Sequence, residues 1–316
     1  MQCYSNVVSI FIRAGFALAI LVTACPAEER KQAPRVIVIG VDGLSVEGVA
    51  KGKVPNLRRL MDHSAWTLSA RGVLPTLSSP NWESMITGAG TAQHGITSNG
   101  MVRNLVEFKP ICQGTDGKFP TIFDALHEQH PKSHIAIFHD WRGFADLVAK
   151  GSADVMQHEA GNKHTTEAAI NYWKKEKPEL LFIHLDNVDH AGHAFGWGTR
   201  EYRSAVEEAD SRIGEVLTML DEAAAWNSTY VLVTSDHGGT PRGHGKNSLA
   251  EIQIPWILAG PQVVTGEITG QVNTFDTAAT LAWIFKLAPL PCAIGRPVTA
   301  AFQPAQLLLT AAKTAE

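Results

Sequence analysis

The sequence carries few charges for its length. Charged residues make up 18% of its 316 residues, and the formal net charge is -4. This balance provides no basic surface for a phosphate backbone, which argues against nucleic acid as a structural partner, although nucleotides could still be substrates. Hydrophobic residues make up 45%, so a packed core is expected and wholesale disorder is not.

Cysteine is scarce, with four residues in the chain. None of them forms a CxxC pair, which argues against a zinc knuckle. Cys3 lies near the amino terminus, whereas Cys112 and Cys292 are far apart in the sequence. An oxidising compartment would allow those two to pair, and two unpaired buried thiols are an equal alternative.

The amino-terminal apolar run, over residues 14–24, is too short for a membrane-spanning helix. It follows a basic residue, as in a secretory signal. It leads into Leu-Val-Thr-Ala-Cys25, which resembles a bacterial lipoprotein signal with Cys25 as the lipidated residue. The alternative is ordinary cleavage near Ala27, which leaves a soluble secreted protein. We therefore predict an exported protein, periplasmic or on the outer surface, that meets a membrane only through a lipid on Cys25.

The remainder of the chain contains no internal repeat and no low-complexity linker that would mark a domain boundary. We predict a signal peptide over residues 1–24, a tether over 25–34 and a single domain over 35–316.

Apolar periodicity predicts an alternation of strands and helices. Strands are expected over residues 35–42, 134–138, 179–186, 229–236 and 253–258. Helices are expected over residues 54–65, 80–87, 120–130, 165–175, 199–225 and 276–285. This alternation predicts an α/β fold with a mostly parallel central sheet and helices on both faces.

Acidic residues end three of the predicted strands. Asp42 and Asp236 end two of them, and Asp186 ends a third that runs directly into Asp189. A single aspartate at such a place is most simply a helix cap or a turn former. Ligands of open α/β sheets bind outside the carboxyl ends of the strands, however, and two of these acids have histidines nearby. The pattern therefore favours a metal site.

Histidines accompany the acids at spacings that suit chelation. Asp189 and His193 are four residues apart and would share one helical face, which His190 would not. The spacing of Asp186 to His193 suits a compact chelate less well. Asp236 adjoins His237, and His244 follows among glycines. The expected ligand sets are Asp42, Asp236 and His237 for one ion, and Asp189, His193 and His244 for the other.

The chemistry of these ligands favours zinc. Mixed imidazole and carboxylate sets suit Zn²⁺ best, with other divalent transition metals as alternatives. Calcium or magnesium would instead take oxygen ligands only. We expect two divalent ions.

A hydroxyl group precedes the predicted helix over residues 80–87. Ser78 would lie at the positive end of the helix dipole, where anions are stabilised, and next to a dication it could ionise and attack. Ser79 would cap the helix, with Pro80 at its first position.

Together these segments resemble the alkaline phosphatase superfamily, and within it the type I phosphodiesterase/nucleotide pyrophosphatase branch. The resemblance extends from Val36 to about Pro297. The matching motifs are Val-Asp42-Gly, Pro75-Thr-Leu-Ser-Ser-Pro-Asn81, Thr87-Gly88, His94-Gly-Ile96, Asp189 to His193 and Ser235 to Gly238.

The resemblance implies an activity and a role for each matching residue. The expected activity is hydrolysis of small-molecule phosphate esters, mainly phosphodiesters or nucleotide pyrophosphates, by double displacement through a phosphoseryl intermediate. Ser78 would be the nucleophile, and Asn99 would hydrogen-bond the phosphoryl group. One ion would lie on Asp42, Ser78, Asp236 and His237, and the other on Asp189, His193 and His244.

The sequence departs from the branch at several positions. The nucleophile is Ser78 instead of Thr, Ser79 replaces a Phe, and Trp82 replaces a His. In the nucleotide-cleaving members the last metal histidine lies much further along the chain than His244 does here. These differences leave the substrate open.

Three alternatives therefore stay open. A phosphomonoesterase would add a cation for the extra negative charge, and Arg103, Lys109 and Arg242 are candidates. A sulfatase would need an Arg that the segment after Ser78 lacks. The third alternative is a non-catalytic surface lipoprotein. Further side chains that could line the cleft are those of Trp82, residues 139–141 and residues 195–197.

Overall fold

An eight-stranded sheet forms the centre of the computed structural model, which describes residues 33–100, 109–114 and 116–304. The strands are β1 (Arg35–Val41), β2 (Ala65–Arg71), β3 (Ile135–His139), β4 (Val155–His158), β5 (Leu180–Leu185), β6 (Thr229–Thr234), β7 (Gln253–Ala259) and β8 (Gly266–Glu267).

The sheet is mostly parallel, as expected. Its strand order is β4-β3-β5-β1-β6-β7-β2-β8. Strands β4, β3, β5, β1 and β6 pair in parallel, whereas β7 runs antiparallel to both of its neighbours, β6 and β2. The strand β1 therefore lies between β5 and β6, and the chain leaves all three at the same edge of the sheet.

The central strands are buried because both faces of the sheet are covered. Successive side chains of a strand point to opposite faces. Accordingly, Val36 and Val38 of β1 belong to one hydrophobic core, and Ile37 and Ile39 belong to the other. This explains why β1 is a continuous run of apolar residues without the alternation of a half-exposed strand.

Helices cover both faces. They are α1 (Val46–Lys51), α2 (Pro55–Met61), α3 (Ser78–Thr87), α4 (Thr91–His94), α5 (Ile122–Gln129), α6 (Phe144–Leu147), α7 (Asn162–Glu176), α8 (Asn187–Phe195), α9 (Arg200–Glu222), α10 (Leu249–Ile252) and α11 (Asp276–Phe285), with a 3-10 turn at Thr299–Ala301. Residues of α3, α5, α6 and α11 line one core, and residues of α1, α2, α7 and α9 line the other.

Several predicted boundaries differ by a few residues from those of the structure, and two of the differences matter for the site and for the sheet. The helix expected over residues 54–65 ends at Met61, because Ala65 begins β2, an edge-side strand that the apolar pattern did not reveal. The helix expected from Pro80 begins at Ser78, and its N-cap residue is Leu77. Ser79 is therefore not a cap.

The segment before α3 is held by the side chain of Asn81 and not by a capping serine. The side-chain amide nitrogen of Asn81 lies 2.9, 3.2 and 3.3 Å from the carbonyl oxygens of Leu77, Pro75 and Val73, among which its two protons are shared, and its amide oxygen accepts from the Val73 N–H at 2.6 Å. One buried side chain thus satisfies the backbone of the turn that leads to Ser78.

Cys112 and Cys292 are joined in a disulfide, with their Cα atoms 6.1 Å apart, which answers the question that the sequence left open. The bond connects the segment before α5 to the segment after α11. Cys3, the predicted signal peptide, Cys25 and Arg103 lie outside the described residues. Within the described part of the chain, none of the helices combines the length and the apolar character needed to cross a membrane.

The start of α2 depends on a carboxylate from α9. The N-cap residue, Val54, offers no side-chain acceptor to the first turn. Asp210 replaces it: its carboxylate accepts from the Asn56 N–H at 3.1 Å and from the Leu57 N–H at 2.7 Å, and it is 1% exposed. Asp210 thereby caps α2 and joins it to α9.

We expect Asp210→Ala to lower the free energy of unfolding by about 2 kcal/mol, because it leaves buried backbone donors without an acceptor. Urea denaturation would measure the change. The matched control is Glu207→Ala, which removes a bond from the exposed Lys53 N–H, in the connection before α2, to the same helix α9, and should change stability by less than about 0.5 kcal/mol. Equal effects of the two substitutions would contradict the capping role.

Candidate functional site

The ends of three adjacent strands bring the acidic residues together. Asp42 directly follows β1, and Asp236 follows β6 after one intervening serine. Asp189 lies in the first turn of α8, which begins shortly after β5. Because β5, β1 and β6 are neighbours in one parallel array, residues far apart in the sequence meet at a single edge.

The first predicted ligand set converges on His237. The Nε2 atom of His237 lies 3.4 Å from Asp42 Oδ1 and 3.2 Å from Asp236 Oδ2. The Ser78 hydroxyl oxygen lies 3.3 Å from the same nitrogen. All four side chains are buried. The structure thus brings together all four residues of this set.

The second predicted set also converges. His193 Nε2 lies 3.3 Å from Asp189 Oδ2 and 3.0 Å from His244 Nε2, and His244 Nε2 lies 3.5 Å from Asp189 Oδ1. Asp189 and His193 are one helical turn apart on α8, as their spacing predicts.

The two sets are contiguous. The rings of His237 and His244 stack with their centroids 3.7 Å apart. The ligand atoms of Asp42, Asp189 and His237 also lie within 4.8 Å of one another, so Asp189 is within reach of both sets. Sequence spacing alone assigned Asp189 to one set, and the structure places it between the two.

Backbone carbonyls orient two of the imidazole rings. The Nδ1 atom of His237 lies 2.8 Å from the Gly238 carbonyl oxygen, and the Nδ1 atom of His244 lies 2.7 Å from the Thr76 carbonyl oxygen. An N–H at Nδ1 donates to each carbonyl and leaves the Nε2 lone pair directed at the carboxylates. This is the orientation that a metal-binding histidine requires.

The carboxylates retain oxygen atoms that the described residues do not satisfy. Asp42 Oδ1, Asp189 Oδ1 and Asp236 Oδ2 are buried without a hydrogen-bond partner among those residues. A buried polar atom in this state is costly unless an ion or another group contacts it. Unsatisfied carboxylate oxygens beside Nε2 lone pairs fit divalent metal ions, and the mixed donor set fits Zn²⁺.

Burial and mutual repulsion shift the pKa values of this site. Burial, followed by the charge of Asp189, raises the pKa of Asp42 to about 7. Burial and the charges of Asp42 and Asp189 raise the pKa of Asp236 well above its usual value. Burial lowers the pKa of His237 to about 3, which keeps its imidazole neutral. The site therefore disfavours bare carboxylates and favours a bound cation.

Asn99 lies beside the segment that bears Ser78. The Ser79 N–H donates to the Asn99 side-chain oxygen at 2.9 Å, and the Asn99 side chain is otherwise exposed. Ser78 is the first residue of α3. The side-chain amide of Asn99 is thus held at the amino end of the helix that carries the predicted nucleophile.

Sequence reasoning missed the role of Trp82. The indole Nε1–H donates to Asp42 Oδ2 at 2.9 Å, and the ring is fully buried. A Cβ atom on Gly40 would lie 2.5 Å from the ring, so a residue without a side chain is needed there. Trp82 is four residues after Ser78 on α3, a spacing that could have indicated a neighbouring position.

His184 was not identified from the sequence either. Its Nε2 atom lies 3.4 Å from Asp42 Oδ2, the oxygen that also accepts from Trp82, and its ring is fully buried. It is the fifth residue of β5, and its position within that apolar run indicates a strand residue and nothing more.

Several other candidates do not contribute to the two groups of converging ligand atoms. Asp186 is at the N-cap of α8, and burial raises its pKa to about 7. His139 is buried and packs against Phe144. Among the aromatic residues considered for the cleft lining, Trp82 and Trp197 are buried, and Phe195 is 52% exposed.

Comparison with known proteins gives a consistent result. The family model of the type I phosphodiesterases/nucleotide pyrophosphatases matches residues 36–252. An uncharacterised pyrophosphatase/phosphodiesterase of Schizosaccharomyces pombe is 27% identical over 224 residues, which span 65% of this chain and 45% of that protein. The chain thus spans about half the length of such relatives.

Solved structures show the same fold. Murine ectonucleotide pyrophosphatase/phosphodiesterase 5 in complex with AMP superposes with a TM-score of 0.68 at 17% identity, over 82% of this chain and 96% of that one. The alkaline phosphatase PafA superposes with a TM-score of 0.73 at 10% identity, over 86% of this chain and 99% of that one. The alkaline phosphatase-like α/β fold is therefore confirmed.

Zinc is expected to raise the melting temperature of the metal-stripped protein more at pH 8 than at pH 5. An unperturbed aspartate has a pKa of 3.8, whereas that of Asp42 in the folded protein is about 7. Between these two pH values Asp42 therefore holds a proton that a bound ion must displace. The pKa of His193 is also raised, chiefly by its bond to Asp189. In the absence of metal, the raised pKa of Asp42 means that the free energy of unfolding decreases as pH rises through this range. Metal binding offsets that decrease.

Differential scanning fluorimetry with and without Zn²⁺ would measure this increment. Buried histidines also change stability with pH, but those outside the ligand sets affect both samples equally. Glu222→Gln, on the exposed end of α9, should retain the wild-type pH dependence. An increment that is constant or larger at pH 5 would contradict the assignment.

Proposed function

Because this chain belongs to the type I phosphodiesterase/nucleotide pyrophosphatase family of the alkaline phosphatase superfamily, we propose that it is a metal-dependent hydrolase of phosphate esters. Phosphodiesters or nucleotide pyrophosphates are the proposed substrates. The observation that carries the proposal is the position of the Ser78 hydroxyl, 3.3 Å from His237 Nε2 at the point where unsatisfied carboxylates converge.

Two sets of residues would hold the ions. Asp42, Ser78, Asp236 and His237 form the first set, and Asp189, His193 and His244 form the second. When bound, two Zn²⁺ ions would supply positive charge for the attacking and the leaving oxygens. The contiguity of the sets and the unsatisfied carboxylate oxygens support this assignment.

The reaction would proceed in two displacements. In the first, Ser78 Oγ loses its proton to solvent and forms a bond to phosphorus, while the bond from phosphorus to the leaving oxygen breaks and that oxygen departs with the electron pair and takes a proton from solvent. In the second, water attacks phosphorus and loses a proton to solvent, while the bond from phosphorus to Ser78 Oγ breaks; Ser78 Oγ takes up a proton and the phosphate product is released. The position of Ser78 at the start of α3, whose amino end carries partial positive charge, favours its ionised form.

Asn99 would orient the phosphoryl group. Its side-chain oxygen accepts from the Ser79 N–H, which directs the amide group to the amino end of α3. The side-chain NH₂ is then the donor that could reach a non-bridging phosphoryl oxygen. AMP in the structure of the murine relative supports a nucleotide as the class of substrate to test first.

Export remains part of the proposal. The signal over residues 1–24 and a lipid on Cys25 would place the enzyme in the periplasm or on the outer surface. The disulfide between Cys112 and Cys292 supports an oxidising compartment.

We expect Ser78→Ala to lower the turnover of bis-4-nitrophenyl phosphate by ~1000-fold or more, because it removes the nucleophile. Release of 4-nitrophenol by the zinc-loaded protein would measure this. Removal of metal with EDTA should abolish turnover, and added Zn²⁺ should restore it. The matched control is Ser79→Ala, which keeps the backbone N–H that donates to Asn99 and should retain activity within a few-fold.

The same assay with 4-nitrophenyl phosphate distinguishes the ester class. Faster turnover of the monoester would overturn the diester preference and favour a phosphomonoesterase with the same site residues. Equal loss of activity in the two serine variants would contradict the assignment of Ser78. An inactive, correctly folded, zinc-loaded wild-type protein would contradict general ester hydrolysis.

A further inference from the structure

His244 lies on a short connection that has little regular structure of its own. Residues 238–248 separate the end of the first ligand set from α10, and Pro241, Arg242 and Lys246 within them are exposed. The side chain of His244 is nevertheless only 4% exposed. A metal ligand on an exposed loop must be positioned by contacts from outside the loop, since loops are more mobile than the elements that they connect.

Thr76 supplies the first of these contacts. Its carbonyl oxygen lies 2.7 Å from His244 Nδ1, and its hydroxyl accepts from the Gly245 N–H at 2.9 Å. The same hydroxyl lies 2.8 Å from the Lys246 carbonyl oxygen and 3.1 Å from Glu251 Oε2, and its proton can serve either acceptor. Thr76 therefore holds three consecutive residues of the loop and is fully buried.

Glu251 supplies the second contact. Its Oε2 atom accepts from the Lys246 N–H at 2.8 Å, and its Oε1 atom accepts from the Thr240 hydroxyl at 3.1 Å. The side chain is 1% exposed, and within the described residues no Lys or Arg forms an ion pair with it. Both carboxylate oxygens are thus used to hold the loop on either side of His244.

These two residues join the loop to the turn that bears the nucleophile. Thr76 is two residues before Ser78, whereas Glu251 lies in α10 at the other end of the loop. The contact between them closes the loop against that turn. A displacement of either residue would move the Nε2 atom of His244 away from Asp189 and His193, to which it lies 3.5 and 3.0 Å.

We propose that Thr76 and Glu251 are positioning residues that set the affinity of the ion on Asp189, His193 and His244. This inference rests on the proposed function, because it assumes that those three residues bind metal. In this sequence His244 follows Asp236 and His237 closely, so the loop that carries it is short. The proposal explains how that loop is held in place, through contacts with the chain on either side of it.

The first ligand set has separate supports, which makes the proposal selective. Asp236 Oδ1 accepts from the Gly43 N–H at 3.1 Å, and Asp42 Oδ2 accepts from Trp82 at 2.9 Å. Neither contact involves Thr76 or Glu251. Loosening the loop should therefore lower the affinity for one of the two ions and leave the affinity for the other unchanged.

The test is a zinc titration of the metal-stripped protein against a chromophoric chelator, with bound zinc counted by atomic absorption. Wild-type protein is expected to bind two ions. Thr76→Val and Glu251→Gln should each bind one ion with wild-type affinity and the other about 10- to 100-fold more weakly. Thr76→Ser, which keeps the hydroxyl, should restore both affinities.

The matched control is Ser248→Ala on the same loop. The Ser248 hydroxyl is buried without a hydrogen-bond partner among the described residues, so its removal should leave both affinities unchanged. Urea unfolding of the metal-stripped variants shows whether each is folded, and Thr76→Ser provides a folded comparison if Thr76→Val does not fold.

The possible outcomes separate this inference from the proposed function. Wild-type affinity for both ions in Thr76→Val and Glu251→Gln would overturn the positioning role while leaving the hydrolase intact. An equal loss of affinity for both ions would also overturn the positioning role, because that result indicates a general loss of structure. A wild-type protein that binds no zinc would overturn the proposed metal site itself.

Discussion

The constraint on which the rest of this structure depends is the meeting of three carboxylates at one buried edge of the sheet. Asp42, Asp189 and Asp236 approach one another at this edge, and the charge of Asp189 adds to burial in raising the pKa values of Asp42 and Asp236. Despite burial, the neighbouring histidines lower the pKa of Asp189, which keeps its negative charge in the site. Burial and like charge act in the same direction here, and neither is offset by a Lys or Arg within the described part of the molecule. A bound cation offsets both, and the surrounding residues are arranged accordingly.

Neighbouring groups hold the proposed ligands in fixed orientations. Backbone carbonyls bond the Nδ1 atoms of His237 and His244, which leaves their Nε2 atoms for the site. Trp82 occupies one oxygen of Asp42 and leaves the other unsatisfied. Each of these contacts restricts a ligand to one orientation, which reduces the entropy that metal binding would otherwise have to overcome.

The same helix connects the proposed metal ligands to the proposed nucleophile. Ser78 begins α3, and Trp82 lies one turn further along it against Asp42. Thr76, just before the helix, holds the His244 loop. A single segment of chain therefore carries the serine and contacts one residue of each ligand set, through Trp82 for Asp42 and through Thr76 for His244. All the residues of α3 are buried.

The sequence alone determined the α/β fold, the alternation of β1, β5 and β6 with helices, and the residues of the two proposed ligand sets that the structure brings together. Those features are local: apolar runs specify buried strands, and acids at strand ends must meet if the strands are parallel. The edge-side strand β2 and the antiparallel course of β7 were not predictable in this way, because strand pairing depends on partners distant in the sequence. The tertiary structure alone decided that Asp189 lies within reach of both ligand sets, that Trp82 donates to Asp42, and that Thr76 and Glu251 hold the loop that carries His244. Each of these contacts joins groups from different parts of the sequence that only packing brings to within a few ångströms.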